Sequence, residues 1–336
     1  MQPYSKELVF KKTNSNHHTN MNHLKLTTVV LTLSVLIPFS INAQQIDQTF
    51  SGISVIDIST GSSDCVVKKG PGSEVNVKLV HTFGDKFKPS VEQKGSKLFI
   101  KESQGNHSSR GQATWTLTIP NGKDLKFNTG SGDFRAADLE LDISLNAGSG
   151  DFSLHGIKGK IVSNAGSGDL EVDNFSGDLT ANTGSGDMAV NKVSGDVELN
   201  CGSGDIALSD IAGSIEANVG SGDIGADRVH LAGKSRFNSG SGDVYVGLSG
   251  SLKHDISVNS GSGDSVLDFN GNDINGTVVM TANKRNGEIH APFAFDKEEE
   301  IDNGSGHSTI KKTAVLGDGV VQIKVGTGSG DARIIN

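Results

Sequence analysis

Through the middle of this chain, apolar and polar positions alternate in short runs that recur at a fixed step. Between Asp169 and Gly186, apolar or small residues fall at Leu170, Val172 and Phe175, then at Leu179, Ala181 and Thr183. Near-alternation is the period of a strand with one buried face. One column down the sequence reads Phe134, Phe152, Leu170, Met188, Ile206, Ile224 and Val244. A second reads Leu139, Ile157, Phe175, Val193, Ile211 and Val229, and a third Ile143, Ile161, Leu179, Val197 and Ile215. Every member is apolar, so the segments stack in register. The pattern predicts an all-β chain, a parallel β-helix or β-solenoid with two strands and two glycine turns per 18-residue coil. Successive coils would pair as parallel strands about 4.8 Å apart, with two facing sheets about 10 Å apart.

The polar positions between the runs carry one repeated phrase, Asn-x-Gly-Ser-Gly-Asp. Its copies start at Asn128, Asn146, Asn164, Asn182, Asn200, Asn218, Asn238 and Asn259; the first six are spaced by 18 residues, and the next two steps are 20 and 21. A weaker Ser-Gly-Asp recurs halfway round, at Ser176-Gly177-Asp178 and Ser194-Gly195-Asp196. Gly-Ser-Gly breaks a helix and supplies the positive φ that a sharp turn needs.

Outside residues 128–264 the pattern loosens. Strand-like runs such as Val75-Asn76-Val77-Lys78-Leu79 and Trp115-Thr116-Leu117-Thr118-Ile119 precede the stack, and Thr60-Gly61-Ser62-Ser63-Asp64 is a degenerate copy of the phrase. Imperfect copies follow it at Gly304-Ser305-Gly306-His307 and Gly328-Ser329-Gly330-Asp331. Solenoid ends are atypical because they must cap an open sheet edge. Residues 44–336 therefore read as one β-solenoid domain, with irregular N-terminal coils over 44–127, regular coils over 128–264, and irregular coils and a cap over 265–336. Residues 1–43 read as a signal-peptide region. Lys25 precedes an apolar run from Leu26 to Phe39, and Ala43 offers a cleavage point before Gln44. Met21 is the expected start of a more ordinary leader. The run is short of the roughly 20 residues that span a bilayer, so no transmembrane segment is expected once the leader is removed, and the chain is expected in the periplasm, at the cell surface or outside the cell.

Charge and composition narrow the function. A net charge of −9 argues against nucleic acid, whose backbone needs clustered Lys and Arg. Aromatic residues at 5% leave no stripe for stacking sugars. Cys65 and Cys201 lie in unlike contexts without metal-type spacing, and Cys201 fills the x position of its phrase as a small, partly buried residue.

The Gly-Ser-Gly-Asp turns, the half-way Ser-Gly-Asp turns, the leader and the closing run Val320-Val321-Gln322-Ile323-Lys324-Val325 together resemble the exported auto-transporter adhesins with a head GIN domain and the similar DUF4097-type adhesins. The resemblance covers about residues 50–336. It implies a β-helix with glycine turns and a role in cell adhesion, with no catalytic residues to carry over. Leader and composition also resemble those of secreted Bacteroidetes proteins.

Two columns are candidate sites. Asn128, Asn146, Asn164, Asn182, Asn200, Asn218, Asn238 and Asn259 are expected to form an amide ladder, each carboxamide giving N–H to the next carbonyl. A ligand-binding role would require that column to face solvent beside an open groove. Asp133, Asp151, Asp169, Asp187, Asp205, Asp223, Asp243 and Asp264 are expected at a solvent-facing corner. Carboxylates 4.8 Å apart repel by about 0.9 kcal/mol even in water, so backbone N–H groups of the turns or calcium must offset them. The phrase is similar to the calcium-binding Gly-Gly-x-Gly-x-Asp repeat but lacks its first Gly and places Asp directly after the last. The expectation is a non-catalytic surface module with no cofactor and a glycan or protein ligand; the oligomeric state stays open. The alternatives are a calcium-binding β-roll-like protein and a polysaccharide-active enzyme. Against the enzyme, the histidines do not recur in the repeat, and every Gly-x-Gly joins two strands.

Overall fold

In the computed structural model, residues 44–104, 111–304 and 308–336 are described. The predicted leader over 1–43 lies outside the described residues, as does most of the imperfect phrase at 304–307. Among the described residues every regular element is a strand, and the strands form two long sheets of 14 and 15 members.

The apolar columns are the pairing register. In one sheet Ile143 lies beside Ile161, Ile161 beside Leu179, Leu179 beside Val197 and Val197 beside Ile215, all in parallel strands. In the other, Phe134, Phe152, Leu170, Met188, Ile206, Ile224 and Val244 follow one another in the same way. The side chains in these columns are buried and form one continuous core. At its N-terminal part Phe127 and Phe134 meet with ring centroids 5.2 Å apart.

Two features depart from simple alternation of strand and turn. The first is a column of left-handed residues inside the strands or just past their ends. Asp138, Asn174, Lys192, Asp210 and Arg228 have φ of 57, 56, 52, 55 and 53°, and Gly156 joins them at 63°. This bend carries the chain from one buried position to another three residues on, as from Val172 to Phe175. Asp, Asn and Gly tolerate such a conformation; Lys and Arg do so less well. The path therefore changes direction at a point where no Ser-Gly-Asp phrase marks it.

The second is that stacking order differs from chain order at both ends. Val55–Thr60 and Asp64–Lys69 lie directly against Lys123–Thr129 and Phe134–Ala137. The intervening chain crosses outward and forms the end of the stack, with Ala113–Ile119 against Asp64–Lys69 and Lys97–Gln104 against Val55–Thr60. The C-terminal end is built likewise: Gln322–Thr327 and Ala332–Ile335 lie against Ile256–Ser260 and Ser265–Asp268. Gly276–Asn283 and Ile289–His290 are placed outside them.

At three of the four edges the outermost pairs are antiparallel, a feature not read from the irregular coils expected over 44–127 and 265–336; at the fourth, Ile289–His290 runs parallel to Ala332–Ile335. Gln44–Phe50 runs against Val75–His81, which runs against Ala113–Ile119. Phe87–Lys94 runs against Lys97–Gln104. Ser308–Leu316 is antiparallel to both Gly276–Asn283 and Lys297–Asp302. A hairpin folds back on its own edge, so the chain can end a sheet without starting another coil.

Candidate functional site

The Asn column is continuously hydrogen-bonded. Each Nδ2 donates to the Oδ1 of the preceding Asn, from Asn146 to Asn128 through Asn259 to Asn238, at 2.9 to 3.2 Å. A carboxamide has two N–H donors and an oxygen with two lone pairs. The ladder takes one donor and one lone pair from each interior member, which leaves the others for a neighbour.

The Asp column is a second ladder of a different kind. Here Oδ1 of one Asp accepts the backbone N–H of the corresponding Asp in the following coil. The bonds run Asp133 to Asp151, Asp169, Asp187, Asp205, Asp223, Asp243 and Asp264, at 2.7 to 3.1 Å. The imperfect phrases that end in Asp64 and Asp331 extend it. The Asp133 amide donates to Asp64, and the Asp331 amide to Asp264. The Glu288 amide then donates to Asp331. The corner is solvent-facing, with these side chains exposed or half-buried. Arg135 pairs with Asp133 at one end, and Arg333 bridges Asp264 and Asp331 at the other.

Electrostatics differ along this column. At Asp223, burial and the flanking Asp205 and Asp243 outweigh the N–H bond and hold the carboxyl above its ordinary range. At Asp331 the Glu288 N–H and Arg333 hold it below. Among the described residues no group of three or more His, Cys, Asp or Glu is placed to hold a metal ion. The ladder takes one lone pair of each Oδ1, and Arg135 and Arg333 take Oδ2 at Asp133, Asp264 and Asp331, so the carboxylates freest to meet a cation are those in the middle of the column.

The x position decides what lies between the two ladders. Cys201 and Val219 are buried there, and the Ser239 and Ser260 hydroxyls donate to Gly222 and Gly242 carbonyls of the preceding coil at 2.8 and 2.7 Å. Burial pushes the Cys201 thiol up, and its Sγ faces the Gly186 carbonyl at 3.3 Å. Earlier in the stack the position holds Thr129, Ala147, Ala165 and Thr183, and the two alanines leave space. A groove of about 610 Å³ runs there, lined by Asn128, Asn146, Asn164 and Asn182, the x residues and the first glycines of the phrases. A shallow, solvent-open groove thus follows the first half of the Asn column. Its signal in the sequence is the pair of alanines.

The remaining candidate chemistry is scattered. His155 pairs with Asp173 at 2.9 Å on an exposed strand end, while His81 is buried against Phe87 in the N-terminal cap. Cys65 is buried, and burial pushes its thiol up. Among the described residues no helix is long and apolar enough to cross a membrane.

Comparison with known proteins gives a family and a set of distant structures. The profile described as Toastrack DUF4097 matches residues 53–288. No curated protein matches the sequence. Three solved structures cover most of the chain at low similarity. A putative cell adhesion protein from Clostridium sporogenes is 13% identical over 87% of this chain and 98% of its own, with a TM-score of 0.20. A putative adhesin from Bacteroides fragilis is 12% identical over 86% and 97%, with a TM-score of 0.32. A putative lipid binding protein from Parabacteroides distasonis is 15% identical over 87% and 97%, also with a TM-score of 0.32.

Proposed function

This chain belongs to the Toastrack DUF4097 family, and from that premise we propose that it is an exported, non-catalytic surface module of adhesin type. Its repeating unit is the 18-residue coil of two strands and two glycine turns, and its Asn and Asp columns are primarily the scaffold. It holds a glycan or protein ligand along the groove beside the Asn ladder. The observation that carries this reading is the groove itself, shallow and open to solvent and lined by amides with unused donors and acceptors. Extended repeat surfaces serve binding in this way because each coil repeats the same contact.

Filling the groove tests the assignment. Val219 occupies the x column in a later coil, so the paired change Ala147→Val and Ala165→Val fits the fold while closing the floor. Binding would be measured against immobilised glycans, cell walls and matrix proteins. The expected outcome is a ligand that the parent retains and the double variant releases, with melting unchanged. Retention by the parent and the double variant alike removes the groove from the function.

A second reading is a calcium-binding β-roll-like protein. Its support is the row of carboxylates whose Oδ2 atoms the Asp ladder leaves unused. Catalysis has no comparable support: among the described residues no histidine lines the groove.

A further inference from the structure

Among the described residues the two sheets have four outer edges, and three of them are guarded. Lys297–Asp302 carries Lys297, Glu298, Glu299, Glu300 and Asp302, which leaves Ile301 as its single uncharged residue. Phe87–Lys94 carries Lys88, Glu92 and Lys94, and its Pro89 lacks the amide hydrogen that an added strand would need. Ile289–His290 is two residues long. Charge, proline and shortness are the usual means of stopping a sheet from growing.

The fourth edge has none of them. Gln44–Phe50 reads Gln-Gln-Ile-Asp-Gln-Thr-Phe, with Asp47 as its one charge. It is held straight on its inner side by seven register pairs with Val75–His81. Asn76 Nδ2 also ties down Asp47 Oδ1 at 3.0 Å and Thr49 Oγ1 at 3.2 Å. Ile46 and Phe50 are half-buried, packed on the end of the core, with Gln48 exposed between them.

We propose that this edge pairs antiparallel with the same strand of a second copy, Gln48 opposite Gln48 on a two-fold axis. The strand is its own complement in that register. Phe50 of one copy lies opposite Ile46 of the other, so the core continues across the junction, and Asp47 lies opposite Thr49. Centring the pair on Asp47 would set two carboxylates face to face, which is destabilising. Centring it on Thr49 would place Gln48 against Phe50 and leave Ile46 opposite Gly52. Seven residues at about 3.4 Å span about 24 Å. An interface this short is small beside a standard one, so the dimer depends on concentration and is isologous. This surface is remote in the stack from the Asn groove, so the ligand reading and the dimer fail or stand separately.

The test is a cysteine placed on the axis. Cys65 and Cys201 are buried, so Gln48→Cys is the accessible thiol, and opposed strand positions lie within disulfide range. Oxidation at high protein concentration is expected to crosslink Gln48→Cys into dimers and to leave Gln45→Cys largely monomeric. In sedimentation, Thr49→Lys is expected to move the monomer–dimer midpoint to lower concentration by pairing with the partner's Asp47. Thr49→Glu is expected to move it higher. All these side chains are exposed, so the variants keep the fold. A protein that stays monomeric and uncrosslinked at every concentration overturns the proposal, including when chain preceding Gln44 or a strand of another protein occupies the edge. So does a dimer that Thr49→Lys weakens.

Discussion

The stack that carries the Asn and Asp columns and the two ends that close it use opposite strategies. In the stack one interaction is repeated: each Asn amide and each Asp carboxylate bonds its counterpart in the neighbouring coil. At the ends interactions occur once. Trp115, fully buried, donates from Nε1 to Glu102 Oε1 at 2.5 Å, and Glu102 Oε2 accepts the Gly61 amide at 3.1 Å. Glu102 thereby serves the first turn of the ladder from outside it. Phe83 stacks on Phe87, with His81 edge-on against the latter. A repeated interaction distributes stability among neighbours, so a defect is felt by both adjoining coils. A single interaction can be lost without breaking a chain.

The largest effect expected from this contrast is at the glycines. A Cβ built on Gly184 would meet the Gly166 carbonyl oxygen at 2.6 Å, and Gly195 combines a φ of +143° with the still closer Gly177 carbonyl. In the N-terminal part Gly72 has a φ of +84° but open space around it. Gly184→Val or Gly195→Val should lose about 4 kcal/mol or more, because backbone in the adjoining coil cannot withdraw. Gly72→Ala should lose about 1 kcal/mol, the ordinary penalty of a side chain at positive φ. Denaturant unfolding would measure both, and equal losses would dissolve the distinction between stack and ends.

Next in size is the amide ladder. Asn182→Ala removes the partner of both Asn164 and Asn200, at a cost of about 1–2 kcal/mol for groups left short of a bond. Asn76→Ala in the N-terminal cap, where the same carboxamide contacts exposed Asp47 and Thr49, should cost about 0.5 kcal/mol. The larger number belongs to the interior of the ladder, and a reversed order of melting temperatures would show that the ends carry the stability.

The same contrast decides what could be read from the sequence. The repeated columns were legible because register repeats them: a single coil predicts where its neighbours place their Phe, Ile and Val. The imperfect phrases at Gly61–Asp64 and Gly328–Asp331 were legible for the same reason, and both Asp residues join the ladder. The order of stacking was not legible, since no local signal says that Lys97–Gln104, Ala113–Ile119, Gly276–Asn283 and Ile289–His290 lie outside strands that precede or follow them. The left-handed column left a trace in the step from Val172 to Phe175, and in Asn174, Asp138, Gly156 and Asp210. Lys192 and Arg228 masked it. The groove depended on Ala147 and Ala165, whose smallness is evident only once the x column is known to face the space between the ladders.

Charge sharpens the comparison between the middle of the Asp ladder and its end. Asp223, held above its ordinary range, binds its proton more tightly when folded. Its contribution to stability therefore declines as pH rises through the window just above the ordinary carboxylate range. Asp331, held low, contributes stability that is present above that range and is lost as pH falls through its lowered value. Asp223→Asn keeps an oxygen for the Asp243 amide and removes the charge, so at pH 7 it should match or slightly exceed the parent. Asp331→Asn forfeits the Arg333 pair and should lose about 0.5–1 kcal/mol. Melting curves against pH distinguish them. In the same assay millimolar calcium should move the melting temperature no further than sodium salt of equal ionic strength. A calcium-specific rise abolished by Asp187→Asn and Asp205→Asn would favour the metal-site reading.

The smallest expected effect is a gain. Lys192 holds a φ of 52° among neighbours in its column that are mostly Asp, Asn or Gly. Its ammonium is exposed, and its nearest carboxylate, on Asp173, is 3.9 Å away, a pair of little worth in solvent. Its longer-range attraction to Asp210 is likewise weak in solvent, so Lys192→Gly should relieve strain. Part of that relief is lost to the greater freedom of glycine in the unfolded chain, which leaves a net gain of about 0.5 kcal/mol. Arg228 provides the control. It shares the conformation at 53° but binds both Asp210 and Asp227, so Arg228→Gly relieves the same strain and forfeits two ion pairs. Thermal melts of the two variants should move in opposite directions or leave Arg228→Gly unchanged. A loss of stability in Lys192→Gly would mean that the bend is held by the side chain rather than endured by it.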